Sequence, residues 1–118
     1  MVLIDRRLEA MEFDRYYVVI LKKGPVWTAE SSSELEALQE RHLDHIRKMG
    51  ETGKMPIAGP LDAHTNPELR GINIFFYDEF ASLDDLKALV EQDPMIQIGR
   101  LTADYLTWYV PKGARLSR

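Results

Sequence analysis

The stretch YYVVILKKGPVWTAESSSELEALQERHLDHIRKMG, residues 16–50, places a strand and a helix in immediate succession. Tyr16 to Lys23 is β-branched and aromatic, and Gly24-Pro25 stops it, which is the composition and punctuation of a β-strand. The run is apolar along most of its length, so both of its faces should be covered. A polar loop holding Trp27 follows. Ser31 to Glu34 and Ser33 to Glu36 then both spell Ser-x-x-Glu, the pattern in which a serine and a carboxylate cap the first turn of a helix. This helix should run from about Ser33 to Met49, with Lys48 near its end and Gly50 or Gly53 available for a left-handed cap.

The same succession returns further along. KMPIAGPL, residues 54–61, reads as a second strand broken by Gly59-Pro60, and the polar loop DAHTNPELR follows it. GINIFFYD, Gly71 to Asp78, is the segment richest in β-formers. Ser82 and Asp85 form another box ahead of Leu83, Leu86, Leu89 and Val90, which sit at helical spacing. Asp93-Pro94 should end that helix, with Met95 to Gly99 as a short turn and LTADYLTWYV as the last strand before Pro111 and a basic tail. The order βαββαβ predicts an α+β, ferredoxin-like fold: a four-stranded antiparallel sheet with two helices on one face. Residues 16–112 would form the domain, residues 1–15 an N-terminal extension and residues 113–118 a C-terminal tail. The extension reads equally as a short amphipathic helix or a loose arm.

A chain of 118 residues supports one core rather than two. Its 45% apolar and 29% charged residues are those of a soluble globular protein, and no apolar run approaches the roughly 20 residues of a membrane span. The net charge of -4 comes from 15 basic and 19 acidic residues interspersed along the chain, which argues against nucleic acid as a partner. With no cysteine there is neither a disulfide framework nor a thiolate centre. The first residues lack the apolar core and cleavage site of a secretory signal, so a cytoplasmic location is expected.

Alternation along the strands makes both faces of the sheet apolar. Leu106, Trp108 and Val110 lie opposite Ala103, Tyr105, Thr107 and Tyr109, and Ile72, Ile74 and Phe76 lie opposite Phe75 and Tyr77. The helices can cover only one of these faces. A second copy of the chain, packed sheet against sheet, is the economical cover for the other.

On the first helix, Leu35, Leu38, His42, Ile46 and Met49 fall within a sector of about 80°, with His42 near its centre. Periodicity therefore buries a histidine, and its plainest reading is a core residue satisfied by a backbone carbonyl. His45 lies on the flank, towards the polar side. Asp93 is the second residue of interest. As a helix-terminating Asp-Pro it needs no further role, yet a carboxylate at a helix C-terminus faces the negative end of the dipole and calls for a cation. In a split βαβ fold the two helices lie side by side, so the buried stripe of the first can bring His42 near the end of the second, where Asp93 stands; the distance is for the structure to give. A histidine held by a carboxylate can exchange protons near neutral pH, the property required of a general acid or base.

These residues also carry a resemblance. GPVWT, ALQERHLDHIRKM, GKMPIAGPL, LRGINIFF, LDDLKALVEQDP, IGRL and TWYVP, in this order between Tyr16 and about Lys112, resemble the YciI-like (YCII-related) family. Its marks here are the His-Leu of the first helix, Ala-Gly-Pro after a Gly-Lys turn, and Asp-Pro followed five residues later by Gly. The resemblance implies a dimeric α+β barrel whose pocket, between helices and sheet, centres on His42 and Asp93 as a dyad, with Gly59-Pro60 shaping the wall. It implies small-molecule acid/base chemistry without naming a substrate, since most members have no assigned reaction and a few act on small ring compounds, including a dehydrochlorinase of chlorinated hydroxyquinols. The chain departs from the pattern at Met95, where an aromatic residue often follows Asp-Pro, and in its N-terminal segment.

The expected substrate site is thus an apolar pocket of Ile57, Ala58, Gly59, Pro60 and Met95, with Trp27 as a neighbour because it precedes the helix that carries His42. No cofactor is expected. His42 and His45 form H-x-x-H, but no third ligand has metal-binding spacing and His64 lies in a loop. The serines are occupied as caps, and neither a GxGxxG nor a P-loop occurs. Two readings follow: a lyase- or isomerase-like enzyme using His42 and Asp93 on a small cyclic or aromatic compound, or a non-catalytic dimeric module that binds a metabolite or a protein.

Overall fold

The computed structural model describes residues 12–118; of the N-terminal extension, residues 1–11 lie outside the described residues. Four strands, β1 (Phe13–Lys23), β2 (Ile57–Pro60), β3 (Leu69–Phe76) and β4 (Leu101–Pro111), form one antiparallel sheet in the order β2-β3-β1-β4. Helices α1 (Ser33–Glu51), α2 (Leu83–Val90) and the short α3 (Pro94–Gln97) complete it. This is the βαββαβ, ferredoxin-like α+β arrangement.

β1 begins at Phe13, before the expected Tyr16, because its partner is long enough to hold it: Phe13 pairs with Pro111, and every residue of β1 has an opposite number on β4. The Phe13 ring also meets Tyr109 edge to face at 6.0 Å. β3 ends at Phe76 rather than Asp78, since Tyr77–Glu79 turn into one 3₁₀ turn.

The start of α1 corrects the expected caps. Ser32 is the cap, its Oγ accepting the Leu35 N–H at 3.1 Å, so neither Ser31 nor Ser33 fills that place. The Ser-x-x-Glu repeats flank the true register by one residue on each side. At the other end Thr52 Oγ1 donates to the Met49 carbonyl at 2.6 Å, and Gly53 takes the left-handed conformation, φ +77°, that an L-residue resists. For α2 the expected cap holds: Ser82 Oγ accepts the Asp85 N–H at 3.2 Å.

One face of the sheet carries the core. Tyr17, Val19, Leu21, Phe75 and Leu101 pack against Leu38 and Met49 of α1, Leu86 and Val90 of α2, and Met95 of α3. On the opposite face Tyr16, Phe76 and Val110 form a smaller cluster with Ile74 and Leu116. The C-terminal tail crosses there: the Leu116 N–H donates to the Tyr16 hydroxyl at 2.8 Å, and Arg118 pairs with Asp78 and Glu79. Leu106 and Trp108 stay about half exposed beyond it. No helix among the described residues is long and apolar enough to cross a membrane.

Candidate active site

His42 lies midway along α1 on the stripe that faces the core, its side chain 12% exposed. Asp93 sits between α2 and α3 and is only 2% exposed. The two meet: His42 Nδ1 and Asp93 Oδ2 are 2.5 Å apart. A carboxylate can only accept, so Nδ1 carries the proton of this bond and Nε2 is left as the nitrogen free to take or give one.

The surroundings of Asp93 overturn the expected dipole argument. α2 ends at Val90, and Asp93 opens a further helix where only a turn was anticipated: its Oδ1 accepts the Met95 N–H at 2.9 Å as the N-cap of α3. Pro94 occupies the first helical position, where its missing N–H costs nothing. The carboxylate therefore faces the positive end of a helix rather than the negative end of one. Each oxygen has one task, Oδ1 holding the backbone of α3 and Oδ2 holding the imidazole. This division satisfies a buried charge that would otherwise be costly.

A cavity of about 370 Å³ opens beside His42. Its wall includes the expected Trp27, Ala58, Gly59, Pro60 and Met95, together with Leu21, Ile46 and Leu101. Ile57 is not part of it. Strand pairing sets Ile57 opposite Ile74 on the far face of the sheet, where it is 53% exposed, and the cavity belongs to the face of Ala58 and Asn73. The expectation ran four consecutive residues along one strand, but a period of two sends alternate side chains away.

The cavity holds four polar residues that the sequence reading did not single out: Gln39, Arg70, Asn73 and Arg100. Asn73 lies inward on β3, opposite Val19 and Ala58, and is 3% exposed. Alternation alone would turn Arg70 to the far face, since Gly71 and Asn73 face the cavity. The register slips here, with Leu21 opposite Gly71 and Lys22 opposite Leu69, so that Arg70 is an extra residue in β3 and turns towards the cavity. Arg100 precedes β4; its N–H donates to the Met95 carbonyl at 2.9 Å and its carbonyl accepts the Gly24 N–H at 2.8 Å. Both guanidiniums rest on the Trp27 ring, at 4.7 Å for Arg70 and 4.4 Å for Arg100.

Trp27 reaches this place through an unusually close crossing of two loops. The Val26 N–H donates to the Gly99 carbonyl at 3.1 Å, and the Trp27 N–H closes a turn on the Gly24 carbonyl at 3.1 Å. A Cβ on Gly24 would lie 2.1 Å from the Gly99 oxygen, so only glycine fits.

His45 is partly exposed, as its flank position suggested, though its Nε2 is buried with no partner among the described residues. His64 is exposed in its loop. No group of three or more His, Asp or Glu residues suited to a metal ion occurs among the described residues. Burial, and then the charge of Glu91, pushes the Tyr105 phenol up to about 12, so it stays a neutral hydroxyl at physiological pH. Set against known protein families and curated proteins, the chain finds no match in either.

Proposed function

We propose that this chain is a YciI-like, small-molecule enzyme of general acid/base type, in which His42 transfers the proton and Asp93 fixes its tautomer and stabilises its charged form. The observation that carries the reading is the 2.5 Å contact between an enclosed imidazole and a buried carboxylate, on the wall of a cavity. A histidine so held presents one nitrogen for exchange and cannot rotate away. The cavity has the volume of a small-molecule site, and its apolar wall with few polar groups suits a compact, ring-sized compound. In an isomerase reaction one imidazole takes a proton from one atom and returns it at another; in a lyase reaction it takes the proton while the electron pair of the broken bond forms a double bond and the leaving group departs from the adjacent atom.

The expected result concerns His42→Gln. In a screen of lactones, chlorinated quinols and short acyl compounds, the wild type turns over at least one substrate. The variant melts within a few degrees of it and loses about 10²-fold or more in kcat. A sharp fall in Tm with unchanged ligand affinity would return His42 to the role of a core histidine. Saturable binding without turnover in either protein would favour the binding module.

The assembly we propose is a homodimer through the sheet face opposite the helices. Its support is the apolar character of Ile57, Ile74, Leu106 and Trp108 on that face, three of them about half exposed. Replacing Leu106 and Trp108 together with Lys should convert a dimer into a monomer in sedimentation velocity, with the helical signal unchanged. A wild-type chain that sediments as a monomer at tens of micromolar would rule this face out as a stable interface.

A further inference from the structure

The donors in the cavity outnumber the acceptors that could use them. Asn73 Nδ2 is buried with no partner among the described residues, and so are Nε and Nη1 of Arg100. Arg70 makes no ion pair among the described residues, nor does Arg100. The one carboxylate of the site is spent, Asp93 holding His42 through one oxygen and Met95 through the other. Three cations, the two guanidiniums of the cavity and Lys23 at 5.6 Å, therefore face a single indole with no counter-charge from the cavity wall.

Each of these features is unfavourable unless something supplies oxygen. An asparagine inside an apolar sheet face loses its hydration for nothing, at about 1–3 kcal/mol for one unmade hydrogen bond. Two guanidiniums on one ring with no acid to pair with leave positive charge uncompensated, and burial of the donor edges of one of them sharpens the cost. A small anion on the cavity wall offsets the guanidinium charge, and it accepts from the amide and from Arg100 once these side chains turn their buried nitrogens towards it. Among anions, an organic carboxylate fits best: most of the wall is apolar, with Leu21, Ala58 and Leu101 among it, and suits a carbon skeleton better than the outer oxygens of a phosphate.

We infer that the substrate is a small organic acid whose carboxylate is held by Asn73, Arg100 and Arg70 in the cavity that His42 lines. The inference rests on the cavity being a substrate site, but not on proton transfer at His42. Arg100 and Asn73 bind and orient; neither enters the proposed chemistry.

The test is a titration of ¹⁵N-labelled protein with acetate, propionate, benzoate and salicylate, each against its own amide and against inorganic phosphate. The readouts are the side-chain amide resonances of Asn73 and the Nε–H resonance of Arg100. At least one acid should shift both saturably and bind about tenfold tighter than its amide, the margin expected of charge-assisted hydrogen bonds. Arg100→Gln should erase that margin, Arg100→Lys should restore part of it, and His42→Gln should leave it in place. Amides that bind as well as their acids overturn the inference, as does the absence of any shift at high millimolar acid. Phosphate moving both resonances where no carboxylate does overturns the assignment to an organic acid. Loss of turnover in His42→Gln without an acid preference would leave the proposed enzyme standing and this inference fallen.

Discussion

Asp93→Asn leaves the protein folded and moves the imidazole proton of His42 from Nδ1 to Nε2. The reason lies in the separate tasks of the two carboxylate oxygens. Asparagine keeps one oxygen, which can still accept the Met95 N–H and cap α3. Its amide group then faces Nδ1, which has to become the acceptor, and the proton goes to the other ring nitrogen. A base whose outer nitrogen is already protonated cannot take a proton, so turnover should fall by about 10²–10⁴-fold, while stability falls by about 1–2 kcal/mol. Asp93→Ala, by contrast, removes both oxygens: about 1 kcal/mol for the cap and about 1–3 kcal/mol for the stranded imidazole N–H. The ¹⁵N shifts of the His42 ring nitrogens distinguish the tautomers directly, and thermal melting separates the two variants. An unchanged tautomer in Asp93→Asn would mean that the carboxylate does not orient the ring.

The largest loss of stability from adding a single methyl group is expected at Gly24. Its Cβ would be placed 2.1 Å from the Gly99 oxygen and 2.8 Å from its carbonyl carbon, both backbone atoms that cannot step aside as a side chain would. Gly24→Ala must push the two loops apart and weaken the hydrogen bonds that join Gly24 to Arg100 and Val26 to Gly99. A cost of about 3–5 kcal/mol follows, or a Tm lowered by about 10–20 °C for a domain of this size. Because Trp27 and Arg100 hang from these loops, the cavity should loosen with them. Gly50→Ala is the control: it lies in α1, its Cβ would meet only the end of Met55 at 4.0 Å, and helix propensity favours alanine. A melting temperature for Gly24→Ala within a few degrees of the wild type would show that the crossing yields easily.

Much of this molecule is written in local pattern. β-branched and aromatic runs marked β1, β3 and β4, the Ser82 cap fixed the start of α2, and the stripe from Leu35 to Met49 placed His42 towards the interior. The meeting of His42 with Asp93 needed one further step, the side-by-side helices of the βαββαβ order. What escaped did so for identifiable reasons. Ser32 lost to its neighbours because three serines in a row leave the cap ambiguous by one residue. α3 is four residues long, too short for any periodicity. Ile57 was assigned to the wrong face because the register between β2 and β3 is a tertiary fact. Arg70 owes its direction to an extra residue in β3, and Arg100 meets Trp27 only through the loop crossing at Gly24. Asn73 alone carried a signal, a polar residue at an inward position of an otherwise apolar strand.

The cap of α3 gives this protein a built-in gauge. A helix of four residues has almost no stability of its own, and its first N–H is held by the same carboxylate that holds His42. Opening of that turn frees one oxygen of the carboxylate whose other oxygen holds the imidazole, and the hydrogen-exchange rate of a single backbone amide, Met95, counts how often it happens. The state of that carboxylate can be followed in this way with no substrate in hand, and a compound that slows Met95 exchange declares itself a ligand of the site before any reaction is known.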